Sequence, residues 1–288
     1  MGTEIPIRDT HQHLIYPEKH PYSWTASIPQ LAGKAFRYDD YLKAIEGTSV
    51  SATVFMESGV DDPHWHEETR FVRALASTPG SLIRGIIANC RPEKESGFEA
   101  YVESVLSPNL VGLRRTLHTE PDELSQRSCF AANIRCLEKY QLAFDLCVLA
   151  RQIPLATALA AKCPKVQFVL DHCGVPDIAL SQIDQWRQHV SEISRLPNVA
   201  CKISGVLVYC PPTQARLESV RPYVEHCLER FGWDRVVWGS DWPVCTITAD
   251  LRIWVQVTRQ LIAKADESDQ RKLLHRNAER IYSPDKHL

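Results

Sequence analysis

The chain carries little net charge, a formal −2 at pH 7 over 288 residues. It therefore has no field to draw it to nucleic acid or to an anionic membrane surface. No apolar run is long enough to span a bilayer, no stretch reads as a secretory leader, and no low-complexity tail is present. The ten cysteines include no C-x-x-C pair, and several, such as Cys147 and Cys201, sit inside apolar, strand-like runs. They read as reduced, buried thiols of a cytoplasmic protein rather than a disulfide frame. No glycine-rich phosphate loop follows the first apolar run, which weakens an open dinucleotide-type sheet. Neither a linker nor an internal repeat divides the chain.

What the chain does have is an apolar fraction of 44%, ample for a buried core, beside an ordinary 24% of charged residues. Apolar, β-branched runs recur at residues 5–10, 52–57, 82–89, 110–113, 143–148, 166–171, 199–204 and 235–239. Their starts lie roughly 25 to 45 residues apart, room for one strand, one helix and two loops. Amphipathic segments fall between them at 67–76, 98–106, 129–140, 156–161, 183–196, 214–231 and 251–263, and a final helix spans about 269–282. Eight strands, most of them continuously apolar, alternating with helices predict an α/β fold, a parallel sheet closed into a (β/α)8 TIM barrel. One domain is expected over residues 1–288.

A barrel of this kind places its chemistry just past the C-terminal ends of its strands. The first run leads into Arg8-Asp9-Thr10-His11-Gln12-His13. Alternate side chains of a strand share a face, so His11 and His13 form a two-imidazole platform suited to a divalent metal. The second run ends in Glu57, the fourth in Arg114, Arg115 and His118, the sixth in Asp171-His172-Cys173-Gly174. The seventh ends in Lys202-Ile203-Ser204-Gly205 and the eighth in Gly239-Ser240-Asp241-Trp242-Pro243. Asp241 is suited to take a proton from water and return it to a leaving alkoxide, with a helix N-cap as the structural alternative. Alternation lets only one of Arg114 and Arg115 face the mouth, where it would bind a carboxylate or hydroxyl in bidentate fashion. Lys202, if inside the barrel, needs a carboxylate partner, for which Asp145 and Asp171 are candidates. His64-Trp65-His66 opens a helix, which splays its two imidazoles apart, so it reads as a decoy rather than a metal motif.

Asp-Thr-His-Gln-His, Asp-His-Cys-Gly, Lys-Ile-Ser-Gly and Gly-Ser-Asp-Trp-Pro, in this order, resemble the amidohydrolase superfamily. More narrowly they resemble its amidohydrolase 2 branch, which holds 2-pyrone-4,6-dicarboxylate lactonase and the sugar lactonases. Tyr22-Ser23-Trp24, the stretch at 230–235 and the terminal Asn277-Ala278-Glu279-Arg280-Ile281-Tyr282 extend the likeness to nearly the whole chain. The resemblance implies a (β/α)8 hydrolase in which His11, His13, His172 and Asp241 match the family's strand-end ligands. Binuclear members add a lysine carbamate after strand 4 and a histidine after strand 5. Here those places read Gly112-Leu113-Arg114-Arg115 and Phe144-Asp145-Leu146-Cys147, so one metal or none is implied.

The expected reaction is hydrolysis of a small cyclic ester, first a sugar-acid lactone, by attack of a metal- or Asp-activated water. Asp241 and His172 are the expected catalytic residues. The expected ligand set for a single divalent metal, Zn first, is His11, His13, Glu57, His172 and Asp241, and a metal-independent route stays open. Arg114, His118, Trp24 and Trp242 are expected to bind substrate. A 2-pyrone-4,6-dicarboxylate lactonase, which would draw on Arg114, Arg115 and Arg151 for two carboxylates, is one alternative. A metal-dependent decarboxylase of the same superfamily is the other. The expected partner is a small lactone or carboxylic acid, with no nucleic acid and no membrane, and monomer or homo-oligomer is left open.

Overall fold

The eight apolar runs become eight parallel strands. They are β1 (Ile7–Gln12), β2 (Val50–Met56), β3 (Ile83–Asn89), β4 (Leu110–Thr116), β5 (Ala143–Cys147), β6 (Phe168–Leu170), β7 (Val199–Ile203) and β8 (Val236–Trp238). The computed structural model describes residues 4–180 and 183–283. Each strand pairs with its sequence neighbours, in the order β1 to β8. The segment after β8 returns to β1. Gln12 bridges Trp242 in parallel, the Asp241 N–H donates to the His11 carbonyl at 2.8 Å, and the His13 N–H donates to the Trp242 carbonyl at 2.7 Å. The sheet is thereby drawn round into a (β/α)8 barrel, and the seam lies at the candidate site itself.

Helices follow each strand: α1 (Tyr38–Ala44), α2 (Trp65–Ala76), α3 (Phe98–Val105), α4 (Ser128–Arg135), α5 (Ile153–Lys162), α6 (Ile183–Ile193), α7 (Leu217–Phe231) and α8 (Leu251–Ile262). Among the described residues no helix is long and apolar enough to cross a membrane. α1 has no counterpart among the expected segments, because seven residues are too few to display a period. It forms because the Arg37 N–H donates to Asp40 Oδ2 at 3.0 Å and because fully buried Tyr41 donates to Asp9 Oδ2 at 2.8 Å. The expected tail helix is instead α9 (Glu267–Arg271), a π turn over Lys272–Arg276 and α10 (Asn277–Ile281). The wider π turn lets adjacent Leu273 and Leu274 both bury completely.

The apolar residues divide into two clusters. A large outer one joins the strands to the helices. A smaller inner one gathers Val54, Met56, Ile87, Ala143, Val169, Ala200 and Val237 with Ile281 and Tyr282 of the tail. The filled interior makes the barrel a packed core rather than a pore. Chemistry is left to the opposite rim, where β1, β4, β6, β7 and β8 deliver their polar residues.

Candidate active site

β1 runs through His11 and Gln12, so His11 is fully buried in the barrel wall while His13 stands just past the strand end. Their Nε2 atoms are 3.1 Å apart, as the strand alternation requires. His13 Nδ1 faces the carbonyls of Met56 at 3.1 Å and Glu57 at 3.0 Å. Carbonyls only accept, so Nδ1 donates to them and Nε2 turns to the cluster, the orientation a metal-ligating histidine is given by its outer partner. Around His11, Arg114 Nη1 stands 3.3 Å from Nε2 and Asp171 Oδ1 stands 3.5 Å from Nδ1. Lys202 Nζ also stands 3.3 Å from Nδ1, so a donor faces each ring nitrogen. Burial, with the Lys202 charge beside it, holds the His11 pKa well below the ordinary histidine value, so the ring is neutral.

Asp241 follows β8, with φ at +60°. His172 and Cys173, after β6, stand at +53° and +54°. Non-glycine residues held in the left-handed region cost of order 1–3 kcal/mol each and persist where surrounding packing insists on them. Here the strained turns aim side chains at one point. Asp241 Oδ1 lies 3.7 Å from His11 Nε2 and 3.5 Å from His13 Nε2, and Oδ2 lies 3.9 Å from His172 Nδ1. Ser204 Oγ, 2.9 Å from His172 Nδ1, fixes that ring. No capping bond links the Asp241 side chain to the 3₁₀ turn at Val244–Ile247, so the structural alternative for this residue has no support.

The donor set suits a divalent cation. His11, His172 and Asp241 bring ligand atoms within 4.8 Å of one another. The triangle of His11 Nε2, His13 Nε2 and Asp241 Oδ1 has edges of 3.1, 3.7 and 3.5 Å. A tetrahedral site with bonds of 2.0–2.1 Å has edges of about 3.3 Å.

Gly205, φ +62°, closes the far side of the cluster. A Cβ there would stand 2.4 Å from Asp241 Oδ2 and 2.9 Å from His172 Nδ1. Gly205→Ala must therefore push the carboxylate aside. A misplacement near 1 Å costs about 10²-fold in rate, so kcat should fall by that order. A variant with undiminished kcat would show that Asp241 needs no fixed position.

Glu57 departs from its expected place in the ligand set. Both of its oxygens are taken by donors: Arg114 Nε at 2.6 Å and Thr116 Oγ1 at 3.1 Å on Oε1, and Asn89 Nδ2 and the Gly59 N–H, each at 2.9 Å, on Oε2. It anchors Arg114 in the wall instead. Burial opposes ionisation of Glu57, but the Arg114 charge and the Gly59 N–H outweigh it and hold the pKa below the ordinary 4.5. A carboxyl depressed in the folded state stabilises fully above its unfolded pKa and loses that contribution as pH falls through the folded value. The gap in urea midpoint between wild type and Glu57→Gln should therefore narrow as pH falls below the ordinary glutamate value of 4.5. A constant gap would contradict the ion-pair assignment.

Arg114 is the arginine that faces inward, 5% exposed, while Arg115 pairs outside with Glu93 at 3.1 Å and Glu120 at 3.0 Å. Arg151 is also remote, on exposed Asp122. A single, already neutralised arginine at the cluster gives little support to a dicarboxylate substrate. His118 lies beside Cys147 Sγ at 3.0 Å and is exposed to solvent at the rim. Burial of the remainder and the Arg114 charge push its pKa down to about 4, leaving a neutral ring at the rim. Trp24 lies over Gly59 and donates to the Ser58 carbonyl at 2.9 Å, half-buried near the mouth. Trp242 does not form the expected substrate wall. It is 4% exposed and packs edge-on against Phe36 and Tyr41, because the segment after β8 turns inward to pair with β1. His64 and His66 also stay apart from the site, the first bonded to Glu67 and the second set against Trp65 and Tyr101.

Beneath the histidines lies a buried charge network. Lys202, fully buried, reaches Asp145 Oδ2 at 2.5 Å, Asp171 Oδ1 at 3.0 Å and His11 Nδ1 at 3.3 Å. Tyr282, from the tail, donates to Asp145 Oδ2 at 2.7 Å. Burial works against both carboxylates; Lys202 and His11 hold Asp171 well below the ordinary value, while Asp145 is raised. The part played by Tyr282 is invisible in sequence, since it lies 137 residues from its partner.

Known proteins share this plan. The chain is 27% identical over 237 residues to L-fucono-1,5-lactonase from Burkholderia ambifaria, covering 82% of this chain and 80% of that one. It is 25% identical to L-rhamnono-gamma-lactonase from Scheffersomyces stipitis, covering 98% and 99%. An amidohydrolase from Burkholderia multivorans, solved with bound zinc, superposes with a TM-score of 0.88 at 22% identity, covering 96% and 99%, a likeness of fold. The Amidohydrolase family matches residues 8–283, from the first strand to the end of the tail, and the chain belongs to that family.

Proposed function

We propose that the protein hydrolyses a small cyclic ester, a sugar-acid lactone, at the cluster of His11, His13, His172 and Asp241. The observation that carries this reading is the Asp241 carboxylate. It is nearly buried and faced by three imidazoles from two strand ends, those of β1 and β6, with no structural hydrogen bond of its side chain among the described residues. The lactonases among the relatives support the substrate class.

Asp241 takes the proton of the attacking water and later returns it to the ring oxygen as the ester bond opens. His172, fixed by Ser204, stands where a donor can meet the negative charge that develops on the carbonyl oxygen. Arg114, held by Glu57, keeps an N–H donor 3.3 Å from His11 Nε2. His11, His13 and Asp241, with His172 adjoining, would hold a single divalent cation, zinc first. Such a cation, when bound, lowers the pKa of water towards neutrality and polarises the ester carbonyl. The ten free cysteines, none in a disulfide, support a reducing, cytoplasmic location.

The test is a panel of aldonic-acid 1,4- and 1,5-lactones followed by acid release, run beside aromatic acids followed by carbon dioxide release. Turnover of a sugar-acid lactone without decarboxylation is expected. Carbon dioxide release, or no lactone opened by metal-loaded protein, would overturn the proposal.

A further inference from the structure

Behind the candidate site, on the outer face of the barrel, three thiols converge. Cys173 lies in the turn after β6, Cys201 on β7 and Cys227 on α7, and their sulfurs lie within 4.8 Å of one another. All three are wholly buried. Their placement follows from the elements that carry them. Lys202 points into the barrel, so Cys201 beside it points out towards the helices. Cys227 shares the buried stripe of α7 with Val220, Val224 and Phe231. The backbone of Cys173 is pinned by a hydrogen bond from Trp186 Nε1 to its carbonyl at 2.8 Å.

We propose that Cys173, Cys201 and Cys227 form a binding site for a soft monovalent cation of the Cu(I) type. Thiolate donors select soft cations. A structural zinc asks for four ligands, and this site offers three sulfurs in an apolar setting. With bonds of about 2.3 Å to sulfur, a trigonal site has sulfur–sulfur edges of about 4.0 Å, inside the observed spacing. On binding, one thiol releases its proton to solvent and the cation forms three bonds, to one thiolate and two thiols. No electron is transferred, and the occupied site is neutral, as burial demands.

The test is an anaerobic titration of the whole protein against Cu(I) held by a coloured bicinchoninate chelator, followed by X-ray absorption at the copper edge. The protein should withdraw one Cu(I) per chain into a shell of three sulfurs. Cys201→Ala and Cys227→Ala should each weaken binding at least tenfold, whereas Cys129→Ala, a half-buried thiol elsewhere, should leave it unchanged. No withdrawal, a shell containing nitrogen, or undiminished binding by both variants would overturn the site. The absorption spectrum of wild-type protein decides the matter even if a variant fails to fold. None of these readouts depends on the lactonase reading.

Discussion

Asp241→Asn is expected to lower kcat by roughly 10²–10⁴-fold while leaving the melting temperature nearly unchanged. The side chains are close in shape, but an amide cannot take a proton from water. The carboxylate lies between 3.5 and 3.9 Å from three histidines and caps no turn. Little of the fold therefore depends on its charge, and an amide in its place costs of order 1 kcal/mol. A structural role would give the opposite pair of results, early unfolding with turnover preserved. Retention of more than about a tenth of wild-type kcat would remove Asp241 from the chemistry.

Lys202→Met should produce the largest loss of stability, about 3–5 kcal/mol in the urea unfolding free energy. The ammonium is the shared partner of Asp145 and Asp171, all three wholly buried. Removing it leaves two carboxylates facing each other in a dry interior, and at least one must take up a proton. Asp145→Asn added to Lys202→Met should restore part of the loss, because the orphaned charge is then gone; sites in one network are not additive. If Lys202→Met unfolds like wild type, the network does not hold the barrel floor. Because Lys202 also touches His11, the rate should fall in the single variant as well.

Much of this is legible in the sequence. Recurrent apolar runs separated by helical segments predict the closed parallel sheet, since strands buried on both faces read as near-unbroken apolar segments. The histidine pair was legible because a period of two is a local property, and the strand-end rule brought His172 and Asp241 to the same rim. Partnership was harder to read. Nothing near Glu57 in sequence announces that Arg114 will claim it, and strand phase alone left Arg114 and Arg115 equivalent. An aromatic after a strand end reads as a pocket wall, whereas Trp242 is buried against Phe36 and Tyr41. Its inward turn follows from pairing between residues 230 positions apart. α1 escaped notice because its stability lies in Tyr41 reaching Asp9, not in its own short period. The need of Lys202 for a carboxylate was legible from burial cost alone. That it takes two, with Tyr282 on one of them, required the fold.

The most direct test is a crystal structure of the metal-loaded protein with an aldonic acid, the product of lactone opening. The product carboxylate is expected at the rim, within hydrogen-bond reach of Asp241 and His172, with any cation on His11 and His13. A product bound away from these four residues, or a cation held by other side chains while the cluster stays bare, would contradict the account.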